Sequence, residues 1–188
     1  VEEVRQAKHL IHDVMEDLAD DGLAYDENLP IGIMIEVPSA ALMAPALARE
    51  VDFFSVGTND LVQYTLAVDR TNENVADLFS PAHPAVLKLV RDVVRAGRRR
   101  EVPVSCCGEA AGDIEFAALL LGLGVRTLSV SPGNVPGIKR LVRSISIDRC
   151  ERLAKKAISF DSDTQVSMYV RDRIRKILPE AYDNVGSR

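Results

Sequence analysis

The stretch Phe53–Arg70, FFSVGTNDLVQYTLAVDR, decides how the rest of the chain is read. It opens on Phe53-Phe54-Ser55-Val56, a short apolar run with the character of a buried strand. Gly57-Thr58-Asn59-Asp60 turns the chain, and Leu61-Val62-Gln63-Tyr64-Thr65-Leu66 continues as a helix start. That order sets a carboxamide and a carboxylate at the C-terminal end of a strand, where parallel α/β folds bind their ligands. Gly57 lets backbone approach a ligand closely. Asp60 offers oxygen to a hard cation, and Asn59 can both donate and accept. Arg70, ten residues beyond Asp60, can return a guanidinium to a phosphate. The same residues also read as an ordinary helix start, with Asn59 as cap and Asp60 complementing the positive end.

Upstream, Ile31-Gly32-Ile33-Met34-Ile35 is a continuous apolar run that predicts a strand buried on both faces. It closes on Glu36, which reads either as one half of an ion pair or as a metal ligand, because an unpaired buried charge is costly. Pro38 ends the strand, and Ser39–Arg49 predicts a helix leading to the Phe53 strand, the spacing of a βαβ unit. Before all of these, Val4, Ala7, Ile11, Val14 and Leu18 mark one face of a helix over Val1–Ala19.

Downstream, Thr71–Pro81 is a polar loop, and Pro84 opens a helix to about Arg100. Its end, Arg98-Arg99-Arg100, complements the helix dipole. Val102–Cys106 predicts a third strand ending at Cys107-Gly108-Glu109. Asp113 caps a helix to Leu121 that Gly122 and Gly124 end, and Arg126–Ser131 predicts a fourth strand. Helices are expected over Val135–Ser144, over Ile147–Ile158 with Ser146 as N-cap, and over Asp163–Leu178, with a frayed tail from Glu180. The class is therefore α/β, with four strands each followed by a helix. Three strands end in polar or reactive groups: Glu36, Asn59-Asp60 and Cys107. Parallel neighbours would gather these on one rim, and four such units are half of a (β/α)8 barrel.

The bulk properties narrow the function. In 188 residues, 47% hydrophobic and 27% charged, there is enough apolar material for one folded domain. The net charge of −5 and the absence of Trp argue against nucleic acid or an anionic membrane as a partner. No apolar run is long enough for membrane insertion. Three cysteines, Cys106, Cys107 and Cys150, form neither a disulfide framework nor a metal-type spacing, which suits a cytoplasmic setting. A first residue of Val1 inside a helical pattern suggests a piece of a longer protein.

The blocks GIMIEVPSAA (Gly32–Ala41), VDFFSVGTNDLVQYTLAVDR (Val51–Arg70), HPAVLKLV (His83–Val90) and CGEAAGD (Cys107–Asp113) resemble one family in order and spacing. The chain is similar, over nearly its whole length, to the C-terminal, phosphoenolpyruvate-binding part of enzyme I of the bacterial phosphotransferase system, including its nitrogen-regulatory paralogue. The resemblance implies a (β/α)8 TIM-barrel type fold of which residues 1–188 supply the last four β/α units and C-terminal helices. It implies a phosphoenolpyruvate and Mg2+ site whose phosphoryl group passes to a histidine on a separate N-terminal domain and then to the phosphocarrier protein HPr, releasing pyruvate.

By position, the resemblance makes Glu36 and Asp60 the Mg2+ ligands. Asn59 and the Asp60 backbone contact substrate, Arg70 neutralises phosphate, and Cys107 protonates the enolate of pyruvate. Read without the resemblance, Cys107 is more often an inert, buried small residue. Cys106 is read as inert, Glu109 as support for the rim, and His9, His12 and His83 as not phosphoacceptors. The family's other phosphate-gripping arginines come from earlier strands. The chain alone is therefore expected to pair with another copy or leave a mobile or disordered face, and not to turn over by itself. Pyruvate phosphate dikinase and phosphoenolpyruvate synthase share the GTNDL block and are the alternative enzymes. A dimerisation or regulatory module without activity is the alternative of another class.

Overall fold

In a computed structural model of the chain, residues 1–181 are described. Four parallel strands, β1 (Gly32–Ile35), β2 (Phe53–Gly57), β3 (Val104–Cys107) and β4 (Thr127–Leu128), form one sheet in chain order. Gly32 lies opposite Phe53, Gly57 opposite Cys107, and Ser105 opposite Thr127. Consecutive parallel neighbours joined by right-handed crossovers put every crossover helix on the same face.

The burial pattern records that arrangement. Ile35, Phe54, Val56 and Cys106 are fully buried, whereas Met34 and Phe53, on the other face, are 49% and 38% exposed. The expectation of strands buried on both faces is thus corrected. The apolar run at Ile31–Ile35 is continuous, but only one side of it is covered within these residues.

The covering layer is built from α2 (Pro38–Leu42), α3 (Ala44–Leu47), α4 (Thr58–Leu66), α5 (Pro84–Arg100), α6 (Glu109–Gly112) and α7 (Ile114–Leu123). The single helix expected over Ser39–Arg49 is instead two short ones that break at Met43. Pro45 lacks the N–H that would continue the first, and fits the opening turn of the second. Helix α4 begins at Thr58, directly after the strand, so Asn59 and Asp60 lie inside its first turn. Helix α5 turns eight residues inward, including Val86, Leu87, Val90 and Val93. It ends in Arg98, Arg99 and Arg100 at the surface. His83 caps it, its Nδ1 accepting from the Ala85 N–H at 3.2 Å.

Asp113 caps α7 through the Phe116 N–H at 2.8 Å. Gly122 does not end that helix, which runs to Leu123 and stops at Gly124 in the left-handed region (φ 107°). Gly122 instead lies where a Cβ would meet the Cys150 carbonyl, in the tight packing of α7 on α9 (Ile147–Ala157). Helices α8 (Val135–Ser144) and α10 (Asp163–Arg175) complete the layer. Ser146 makes no side-chain cap, and β4 is shorter than the expected Arg126–Ser131, since it pairs with β3 on one side only. The expected frayed tail falls, from residue 182, outside the described residues.

Helix α1 (Glu2–Asp20) is attached at one end, where Arg5 pairs with Glu50 at 2.6 Å and Lys8 donates to the Glu50 carbonyl at 2.8 Å. It buries none of its residues. Val4 packs against the core, while further along the helix Leu10, Ile11, Val14 and Leu18 line, with Leu29, an open groove of about 390 Å³. No helix among the described residues is long and apolar enough to cross a membrane.

Candidate active site

The C-terminal ends of β1, β2 and β3 meet at Gly57. Glu36 follows β1 and lays its carboxylate across the neighbouring strand, with Oε2 3.1 Å from where a Cβ at Gly57 would stand. A methyl at Gly57 would press on Met34 Sδ and on that carboxylate, which would have to give by a few tenths of an ångström. On the other side of Gly57, Cys107 closes β3. Its thiol donates to the Val56 carbonyl at 3.6 Å and accepts from the Ser55 hydroxyl at 3.6 Å.

The turn from β2 into α4 is tied to the end of β3 by two bonds. Thr58, the one buried polar side chain among the described residues, donates its hydroxyl to the Cys107 carbonyl at 2.8 Å. Asn59 Oδ1 accepts the Glu109 N–H at 3.1 Å. Both approach Gly108, whose φ of 100° favours glycine, and whose missing Cβ leaves room for Thr58 Oγ1 and Asn59 Oδ1. Asn59 is therefore not the helix cap that its position suggested. The N-terminus of α4 has no side-chain cap at all, so its positive end faces the rim.

Glu36 and Asp60 are half-buried, and neither has a hydrogen bond or ion pair among the described residues. The ion-pair reading of Glu36 thus finds no partner. Two half-buried carboxylates without a protein cation suit a hard divalent ion, which takes one or two carboxylates and completes its shell with water and substrate oxygens. No group of three or more His, Cys, Asp or Glu side chains gathers as a self-sufficient metal centre among the described residues. Arg70 reaches the rim from the loop after α4, its Nη1 3.3 Å from Glu109 Oε1.

The two adjacent cysteines differ as their alternation along the strand predicts. Cys106 is on the helix-covered face, and burial, helped by Cys107, pushes its thiol up to about 12. It remains a neutral thiol at physiological pH. Cys107 faces the open side and is partly accessible. A separate cleft of about 400 Å³ lies behind the rim, lined by Phe79, Pro81, Glu109, Phe116 and Val170 among others.

The sequence missed Ser55 and Thr58 as parts of the site. Only the alignment of Gly57 opposite Cys107 shows that these hydroxyls meet the end of β3.

A parallel sheet in chain order, with carboxylates, a carboxamide and a thiol at or just after its strand ends, defines the class as α/β. Residues 1–147 match the family described as PEP-utilising enzyme, PEP-binding domain, and the chain belongs to it. It is 42% identical, over 92% of its length, to a phosphoenolpyruvate-protein phosphotransferase of Haemophilus influenzae, of which it covers 30%. It is 44% identical, over 89% of its length, to one of Borreliella burgdorferi, of which it covers 29%. A Buchnera aphidicola relative of the same name is 44% identical over 84% of the chain. The chain thus spans about 30% of the length of the relatives it matches.

Proposed function

We propose that this chain carries the phosphoenolpyruvate site of a phosphoenolpyruvate-protein phosphotransferase, which transfers the phosphoryl group to a protein histidine and releases pyruvate. The observation that supports this reading is that Glu36 and Asp60 are half-buried with no side-chain hydrogen bond or ion pair among the described residues, at or just after strand ends, while Cys107 ends β3 on the open face and Arg70 reaches the β3–α6 turn. Glu36 and Asp60 would hold Mg2+, which when bound neutralises charge on the phosphate oxygens. Arg70 supplies planar donors to the phosphate, and Asn59 with the uncapped end of α4 takes anionic oxygens of the substrate.

Transfer breaks the bond between phosphorus and the enol oxygen and forms one to a histidine nitrogen. The electron pair left on the enol oxygen makes an enolate, and Cys107 Sγ–H delivers the proton that turns its methylene carbon into the methyl of pyruvate. The Ser55 hydroxyl that donates to Sγ supports the thiolate left behind. Water returns the proton.

The phosphoacceptor histidine, like the docking site for HPr, is on chain outside these residues. The open sheet face and the sequential strand order support the later half of a (β/α)8 barrel. The reading extends to a cytoplasmic homodimer acting at the first step of the phosphotransferase system.

The test is titration of phosphoenolpyruvate into the chain with and without Mg2+, followed by 31P and amide NMR. Shifts are expected at residues 36, 57–60, 70 and 107. Glu36→Gln or Asp60→Asn is expected to weaken Mg2+-dependent binding at least about tenfold. Cys107→Ser should bind as wild type. Shifts confined to other surfaces, or binding indifferent to Mg2+ and to both substitutions, would overturn the assignment.

A further inference from the structure

Arg70 and Asn59 belong to different parts of the chain, and one residue of the β3–α6 turn touches both. The Glu109 N–H binds Asn59 Oδ1 at 3.1 Å, and the Glu109 carboxylate binds Arg70 Nη1 at 3.3 Å. The first contact occupies the oxygen of the carboxamide and turns its NH2 the other way, so Asn59 presents donors rather than an acceptor. The second is the one ion pair and hydrogen bond of this guanidinium among the described residues, and the neighbouring Asp69 carboxylate, bonded to Thr71, interacts with it through charge alone.

The Arg70–Glu109 pair lies in solvent, with side chains 42% and 83% exposed. An exposed pair is weak and screened by salt. It suffices to hold Arg70 in one place, and a phosphate dianion can displace it. The carboxylate must then swing away, because it would repel the incoming anion.

We infer that Glu109 is a positioning residue, a displaceable counterion that parks Arg70 at the rim until phosphate takes its place. This rests on the proposed phosphoenolpyruvate site. Releasing Arg70 from Glu109 costs binding free energy, so the carboxylate lowers affinity while it orders the empty site.

The test uses phosphoenolpyruvate with Mg2+ and wild type, Arg70→Ala, Glu109→Gln and Glu109→Asp chains, titrated at low and high salt. Glu109→Gln is expected to bind about two- to fivefold more tightly than wild type at low salt, the range of an exposed ion pair. The gain should shrink towards none at high salt, where the pair is already screened. Glu109→Asp, which keeps the charge, should stay close to wild type. Tighter binding is an effect that a merely structural role would not produce. If Arg70→Ala loses affinity but Glu109→Gln binds like wild type or more weakly, the counterion role is wrong while the site stands. If wild type does not bind, or Arg70→Ala binds as well as wild type, the site itself is wrong and the role of Glu109 falls with it.

Discussion

Thr58 shows how a single hydroxyl can join two strand ends. It is 1% exposed, and its bond to the Cys107 carbonyl at 2.8 Å crosses from the start of α4 to the end of β3. Thr58→Val keeps the shape, removes the donor, and leaves that carbonyl without it. The expected cost is about 1–3 kcal/mol in urea unfolding, with Thr58→Ser recovering most of it. Equal stability of the valine variant would mean that the bond contributes nothing. The pairing of Cys106 with Cys107 illustrates the other residue-scale effect. Strand alternation sends one thiol into the core and the other to the open face, so identical groups one step apart differ in chemistry.

Among the elements, the helices carry the least readable information. Periodicity locates α5 from Pro84 to Arg100 closely, because its buried face and both its ends have strong local chemistry. It fails at α2 and α3, where Pro45 divides one expected helix. It also misreads Gly122 as a stop. In α7 that glycine is a contact, and Gly122→Ala would drive a methyl into the Cys150 carbonyl of α9. Overpacking of this kind is expected to destabilise by about 1–3 kcal/mol, read as a lowered thermal midpoint. An unchanged midpoint would show that α7 and α9 separate easily.

Over the whole molecule, the covering helices lie on one face of the sheet, and among the described residues apolar surface remains open in places, two of which bear on association. These are the exposed strand side with Met34 and Phe53, and the α1 stripe with Leu10 at 66% and Val14 at 56% exposure. Contiguous apolar surface of this kind marks an interface. The proposed homodimer predicts concentration-dependent association in sedimentation velocity, reduced by Leu10→Lys with Val14→Lys. A strict monomer at high concentration, with no response to either substitution, would remove α1 from any such contact.

The sequence by itself determined where the strands lie, the turn after β2 and the residue types that follow the strand ends, because these depend on neighbours a few positions apart. The tertiary structure alone decided which sheet face is open, that the Glu36 carboxylate has no cation partner among the described residues, and that Asn59 Oδ1 is taken by the Glu109 N–H. The reason is distance along the chain. The contacts concerned, such as Ser55 to Cys107 across 52 positions and Asn59 to Glu109 across 50, exist only once the strands lie side by side. No local pattern of charge or hydrophobicity encodes which two strand ends will meet.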